Sequence, residues 1–158
     1  MTAAEWALTA SVVFTGLFSG LYGMLNLIFH QVMSAMDGPE FARFLRRFLT
    51  VARKSPFNYV VVIGMVVSPA VALIAMDDAS GTAFVLTAIG LALTLIGNAA
   101  VSNRIAEPNY DRMLAWDPDR MPDDWEATRG YYFKLNWIRA VSTWTAFGLF
   151  LAALVEAL

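Results

Sequence analysis

Ser11-Val-Val-Phe-Thr15-Gly-Leu-Phe-Ser19-Gly-Leu-Tyr22-Gly-Met-Leu-Asn26-Leu-Ile-Phe-His30 lies inside the first long apolar run of the chain. Its polar members, Ser11, Thr15, Ser19, Tyr22, Asn26 and His30, recur at steps of three and four residues. At about 100° per residue they fall within roughly a 100° arc of one helix face. Lipid stabilises none of these groups, so the stripe is expected to face other helices, a ligand or trapped water. It ends on the only histidine of the protein.

The surrounding composition agrees with a membrane helix. Of 158 residues, 58% are apolar and 15% charged, which separates the chain from ordinary soluble domains. The length predicts one domain, residues 1–158. No cysteine is present, which removes disulfides, thiolate metal sites and cysteine nucleophiles. A net charge of −2, without interleaved basic and aromatic residues, gives no basis for nucleic acid binding. Met1 to Glu5 carries no Lys or Arg, so the first run reads as a retained span rather than a signal peptide.

Four runs approach the roughly 20 residues that a helix needs to cross a bilayer: about 6–29, 57–76, 82–101 and 135–158. Gly16, Gly20 and Gly23 in the first offer small surfaces for close helix approach. After a turn at Met36-Asp-Gly-Pro39, apolar Phe41, Phe44, Leu45, Phe48 and Leu49 alternate in helical period with Arg43, Arg46, Arg47, Arg53 and Lys54. This predicts an amphipathic interfacial helix over about 39–53, its arginines toward anionic phospholipid headgroups. Ser55 and Pro56 open the second span as N-cap and first-turn proline. A turn at Asp77–Gly81 makes the second and third spans antiparallel neighbours. Pro108 is expected to stop the third helix, leaving a cytoplasmic loop over about 107–124. Asp123 or Asp124 is expected to cap the last helix, and Trp125, Tyr131, Tyr132 and Trp137 suit interfacial depth, as do Tyr110 and Trp116.

All eleven Lys and Arg residues lie in or beside the two long connections. The positive-inside rule therefore places both termini outside the cytoplasm, in a plasma (inner) membrane protein. The expected fold is all-α, an integral membrane four-helix antiparallel bundle with the interfacial helix between spans one and two.

That orientation gathers polar residues at one depth: Asn26 and His30 from span one, Asn58 and Tyr59 from span two, Asn98 and Ser102 from span three, Asn136 and Arg139 from span four. Tyr132, Asn136, Arg139 and Thr143 share about a 60° arc. Taken singly, His30 reads as a headgroup or helix-end contact, Arg139 as a snorkelling cation and the Asn residues as interhelical hydrogen bonds. Taken together they predict a pocket opening toward the cytoplasmic leaflet, with His30, Asn58, Asn98, Asn136 and Arg139 around one cavity and Tyr22, Asn26, Ser102 and Tyr132 beside them.

The runs His30-Gln-Val-Met, Met36-Asp-Gly-Pro-Glu-Phe-Ala-Arg-Phe and Ala52-Arg-Lys-Ser-Pro-Phe-Asn58 resemble the first half of the anthrone oxygenase-like family of small four-helix membrane proteins. Gly97-Asn98, Asn103-Arg104-Ile105, Asp124-Trp125, Arg129 and Asn136-Trp137-Ile138-Arg139 resemble its second half. The resemblance implies oxygenation of an anthrone to an anthraquinone, without a cofactor. His30, which titrates near neutrality, would then be the base, and Asn58, Asn98, Asn136 and Arg139 donors to the oxyanion. A second enzyme class uses haem b, with His30 as axial ligand and Arg139 or Arg129 on the propionates. One histidine and no inward-facing carboxylate in the spans fit copper or di-iron poorly. The non-enzymatic alternative is an accessory subunit or scaffold of a larger membrane complex, and a homo-oligomer is open in either case.

Overall fold

The computed structural model describes residues 1–158. It is 85% helix with no strand. We number five helices: α1 Ala3–Ala35, α2 Gly38–Ala52, α3 Pro56–Ala75, α4 Thr82–Leu114 and α5 Trp125–Ala157. Four of them, α1, α3, α4 and α5, are long and apolar enough to cross a membrane. Their outward faces carry Val13, Leu17, Ile28, Ile63, Val67, Ile74, Ile96 and Val155, all exposed, as helices bathed in lipid do.

α1 packs against α3 and α5, and α4 against α5 and α3. The polar stripe of α1 is the reason for its orientation. Ser11, Thr15, Tyr22, Asn26 and His30 are at most 5% exposed, and Ser19 is half-buried. Ser11 Oγ lies 3.1 Å from Ser68 Oγ on α3, while Ser68 donates to the Gly64 carbonyl at 2.6 Å. On the opposite side, Trp144 Nε1 of α5 donates to the Ser19 carbonyl at 3.1 Å. At two helix contacts an aromatic ring is seated on a glycine. A Cβ at Gly64 would overlap the Phe14 ring, and one at Gly90 would meet Phe150 at 2.6 Å. Gly16 faces Phe147, but Gly20 and Gly23 face open space, so of the three α1 glycines only the first serves helix packing within the chain.

α2 begins on Asp37, whose carboxylate accepts the Glu40 N–H at 2.8 Å, with Pro39 in the first turn. Its apolar face is covered by protein. Phe41, Leu45 and Leu49 join Met33, Met113, Trp116, Tyr132 and Leu135 in the largest buried cluster. Tyr110 and Trp116, which composition assigns to the interface, are interior residues for this reason. Tyr132 is likewise buried, whereas Tyr131 and Trp137 are exposed. The cations of this segment divide. Arg46 donates to the Trp116 and Leu114 carbonyls (2.8 and 3.3 Å), Arg53 pairs with Glu107 and Asp111, and Arg43 approaches Asp119 at 3.9 Å. Arg47 and Lys54 form no ion pair and are exposed.

α4 corrects the expected boundary at Pro108 and the expected loop over 107–124. In a regular α-helix the Pro108 ring would strike the carbonyl four residues back and leave it without its N–H. Here a π-helical turn spans Ser102–Ala106, closed by Glu107 N–H to the Ser102 carbonyl. The ladder is already open there, so Pro108 sits as in a first turn and the helix continues to Leu114. A second π segment covers Thr94–Ala100, and α1 has one at Leu25–Phe29. Ser55 caps α3 as its sequence predicts, accepting the Asn58 N–H at 3.4 Å. Asp124 occupies the N-cap position of α5 without capping, because its carboxylate is held by Arg112.

Candidate functional site

Five helices meet at the α2 end of the molecule around a cavity of about 510 Å³. α1 contributes Phe18, Leu21, Tyr22 and Leu25, and α2 contributes Phe48 and Leu49, followed by Ala52 and Arg53. Asn58, Tyr59 and Val62 come from α3, Asn103, Glu107 and Tyr110 from α4, and Tyr132, Asn136 and Arg139 from α5. The three α5 residues share the face that helical spacing predicts.

Arg139 dominates the chemistry of this cavity. Its Nη1 donates to Tyr110 Oη at 2.7 Å, and the guanidinium lies 5.2 Å over the Tyr22 ring. It forms no salt bridge. The one carboxylate in the wall, Glu107, is paired with Arg53 at the rim. Arg53 is held above the usual arginine range: burial acts to lower it, but hydrogen bonds and charge attraction from Asp111 and Glu107 outweigh burial. Three polar atoms around the cavity, Tyr22 Oη, Arg139 Nε and Arg53 Nε, are buried without a partner. A desolvated cation and an unsatisfied hydroxyl beside empty space are costly unless a ligand or water completes them.

A smaller cavity of about 220 Å³ lies between α3 and α4. Val62, Met65 and Val66 form one wall, and Thr94, Asn98, Ala99, Ser102 and Asn103 the other, with Phe18 and Arg139 completing it. Asn98 is bonded to Thr143, its Nδ2 donating to Oγ1 at 2.9 Å.

The residues expected around one cavity therefore separate. Asn58, Asn136 and Arg139, with Tyr22 and Tyr132, line the larger; Asn98 and Ser102 line the smaller, which Arg139 also borders. His30 and Asn26 border neither. His30 Nε2 lies 3.3 Å from Asn136 Nδ2, and with the amide nitrogen as donor the ring nitrogen is the acceptor. The ring stacks on Phe133 with centroids 4.1 Å apart, and Nδ1 is buried without a partner. Asn26 Nδ2 donates to the Tyr22 carbonyl at 2.9 Å and lies 3.5 Å from the Asn136 carbonyl. Both residues stand one layer behind the cavity and hold Asn136.

Haem does not fit this arrangement. An axial histidine needs a nitrogen directed into a cavity, whereas Nε2 is taken by Asn136 and the ring is covered by Phe133 and Tyr132. Sequence reasoning missed Tyr110, the hydrogen-bond partner of Arg139: it lies between Glu107 and Asp111, the acidic partners of Arg53, in a stretch whose composition reads as a loop and so offers no helical period to follow. Asn103, which the sequence singles out only through the Asn103-Arg104-Ile105 resemblance, borders both cavities. Compared with protein-family models, with characterised proteins and with solved structures, the chain finds no match in any of the three.

Proposed function

We propose that the larger cavity binds a flat hydrophobic molecule that presents an acidic oxygen to Arg139. The observation that carries this is the guanidinium itself, without a carboxylate partner, in a largely apolar cavity wall beside the unpartnered Tyr22 hydroxyl. In this reading α1, α3, α4 and α5 cross the plasma (inner) membrane as an antiparallel bundle with both termini outside. α2 lies at the cytoplasmic interface, where Arg47 and Lys54 meet anionic headgroups. The distribution of Lys and Arg supports that sidedness.

The resemblance to anthrone oxygenase-like proteins supplies a chemical class that suits the cavity. An anthrone loses its acidic C–H proton to solvent water at the cavity mouth to give an enolate, and Arg139 with Tyr22 stabilises the resulting oxyanion. Dioxygen accepts the electrons: one oxygen atom becomes the new carbonyl of the anthraquinone and the other leaves as water. Asn58 and Asn136 supply further donors at the wall. His30 acts through Asn136 as a positioning residue, rather than as the base that touches substrate.

The test is anaerobic binding of an anthrone to the purified protein in lipid nanodiscs, followed by oxygen uptake on admission of air. Wild type is expected to bind and turn over, Arg139→Met to bind at least about tenfold more weakly, the loss of about 1.4 kcal/mol. His30→Gln, which keeps an acceptor for Asn136, is expected to retain binding, whereas His30→Leu is expected to weaken it. No binding by wild type, or equal binding by Arg139→Met, overturns the proposal. The accessory-subunit alternative is favoured by one observation, the open space over Gly20 and Gly23 on α1. It predicts that Arg139→Met leaves assembly with partners intact and that no ligand binds.

A further inference from the structure

Phe18, Val62, Asn103 and Arg139 border both cavities, so the two compartments meet at the level of the Arg139 side chain. From there the smaller one runs away from Arg53 and Glu107. Val66 lies about 6 Å farther along α3 than Val62 at 1.5 Å per residue. The polar groups at this far end are already satisfied within the protein. Asn98 is bonded to Thr143 at 2.9 Å, and the Thr94 hydroxyl donates to the Gly90 carbonyl at 2.9 Å. Met65, Val66 and Ala99 beside them are apolar. At the near end the Arg139 Nε has no partner. The compartment is therefore apolar at its far end and open to a polar group at its near end.

We infer that this smaller compartment is a slot for the apolar chain of the ligand whose acidic oxygen Arg139 holds. The ligand class is an acidic aromatic molecule bearing a short alkyl or acyl chain, and the inference rests on the binding role proposed for the larger cavity. Two further features agree with it. The α4 wall of the slot lies in the π segments Thr94–Ala100 and Ser102–Ala106, and such departures from α geometry concentrate at functional sites. Val62 and Asn103, which border both compartments, are also exposed on the outer surface. A chain-bearing molecule dissolved in the bilayer reaches the slot sideways between α3 and α4. It already has the required orientation, with its polar end toward the headgroups and its chain toward the bilayer centre.

The experiment compares unsubstituted anthrone with a butyl-substituted anthrone, on the full chain in lipid nanodiscs, for wild type and Ala99→Phe. The phenyl ring fills the slot. Ala99→Phe is expected to weaken the butyl compound about tenfold or more relative to the unsubstituted one, a difference of about 1.4 kcal/mol. Retained binding of the unsubstituted anthrone shows that the variant is folded. Should the variant fail to fold, a second measurement takes its place. The chain has no cysteine, so Ala99→Cys introduces a single thiol, and the butyl compound is expected to protect it from N-ethylmaleimide where the unsubstituted one does not. Equal effects of Ala99→Phe on both ligands, or equal protection of the thiol by both, overturn the slot while leaving the larger cavity's role in place. Failure of wild type to bind either compound overturns both.

Discussion

Arg139 and Tyr110 are expected to behave as a coupled pair whose joint removal costs less than the loss of either member. An arginine inside a membrane span costs about 2.5–3.5 kcal/mol on insertion scales. Against this stand a charge-assisted hydrogen bond to Tyr110 at 2.7 Å, about 1.5–3 kcal/mol, and a contact with the Tyr22 ring at 5.2 Å, about 0.5–2 kcal/mol. These terms nearly cancel, so the pair contributes little net stability. Tyr110→Phe strands the cation and is expected to destabilise by about 1.5–3 kcal/mol. Arg139→Met leaves the buried Tyr110 hydroxyl without its donor and is expected to cost about 1–3 kcal/mol. The double variant removes both polar groups and is expected within about 1 kcal/mol of wild type. Unfolding in mixed detergent micelles, followed by near-ultraviolet circular dichroism, measures the cycle. Neutral interhelical hydrogen bonds in membrane proteins couple by about 0.6 kcal/mol on average, and the charged pair is expected to exceed about 1.5 kcal/mol. Additive losses, with the double variant the least stable, would refute this and make Arg139 a structural keystone instead of a ligand-binding cation.

Other expectations concern the packing and the exposed turn. Gly90→Ala drives a methyl group into the Phe150 ring, 2.6 Å from the new carbon, and is expected to cost about 1–3 kcal/mol. Gly20→Ala and Gly23→Ala meet nothing within 4 Å and are expected to be neutral or stabilising by up to about 1 kcal/mol in the same unfolding measurement. Trp116→Ala is expected to destabilise by about 3–5 kcal/mol, because the side chain is interior; a change below about 1 kcal/mol would return it to the interface. In the turn before α4, hydrogen bonds from the Ser80 hydroxyl and N–H hold the Asp78 carboxyl below its ordinary range. Its stabilising contribution is therefore present above the unfolded-state value of about 4 and is lost as pH falls through the folded-state value. Ser80→Ala is expected to reduce that acid-side loss, and an unchanged pH profile of unfolding would count against the assignment.

The inward face of α1 was legible in the sequence because polar residues in an apolar run stand out at helical period, and burial of Ser11, Thr15, Tyr22, Asn26 and His30 follows that period. The inward face of α5 was legible for the same reason. The end of α4 was not, since proline reads as a helix terminator and the π turn that accommodates it has no residue signature of its own. Tyr110 and Trp116 stood among Asp, Pro and Arg, a composition that reads as an aqueous loop. Only the seating of α2 across them makes them interior. The division of the polar cluster into two compartments depends on the spatial meeting of Phe18, Val62 and Arg139, which no spacing along one helix encodes.

The π turn in α1 also bears on which changes of length the chain tolerates. His30 N–H bonds to the Leu25 carbonyl, five residues back. Deleting a single residue between them, such as Leu27, leaves the same donor and acceptor four apart, which is the ordinary α spacing. The flanking Tyr22 and His30 then keep their common face. The same deletion at Leu17, in the regular part of the helix, shifts every preceding residue by about 100° relative to those that follow. It tears Ser11 away from Ser68 while Tyr22 stays in place. The helix thus contains one point at which a residue can be lost without turning either half of its polar stripe toward lipid.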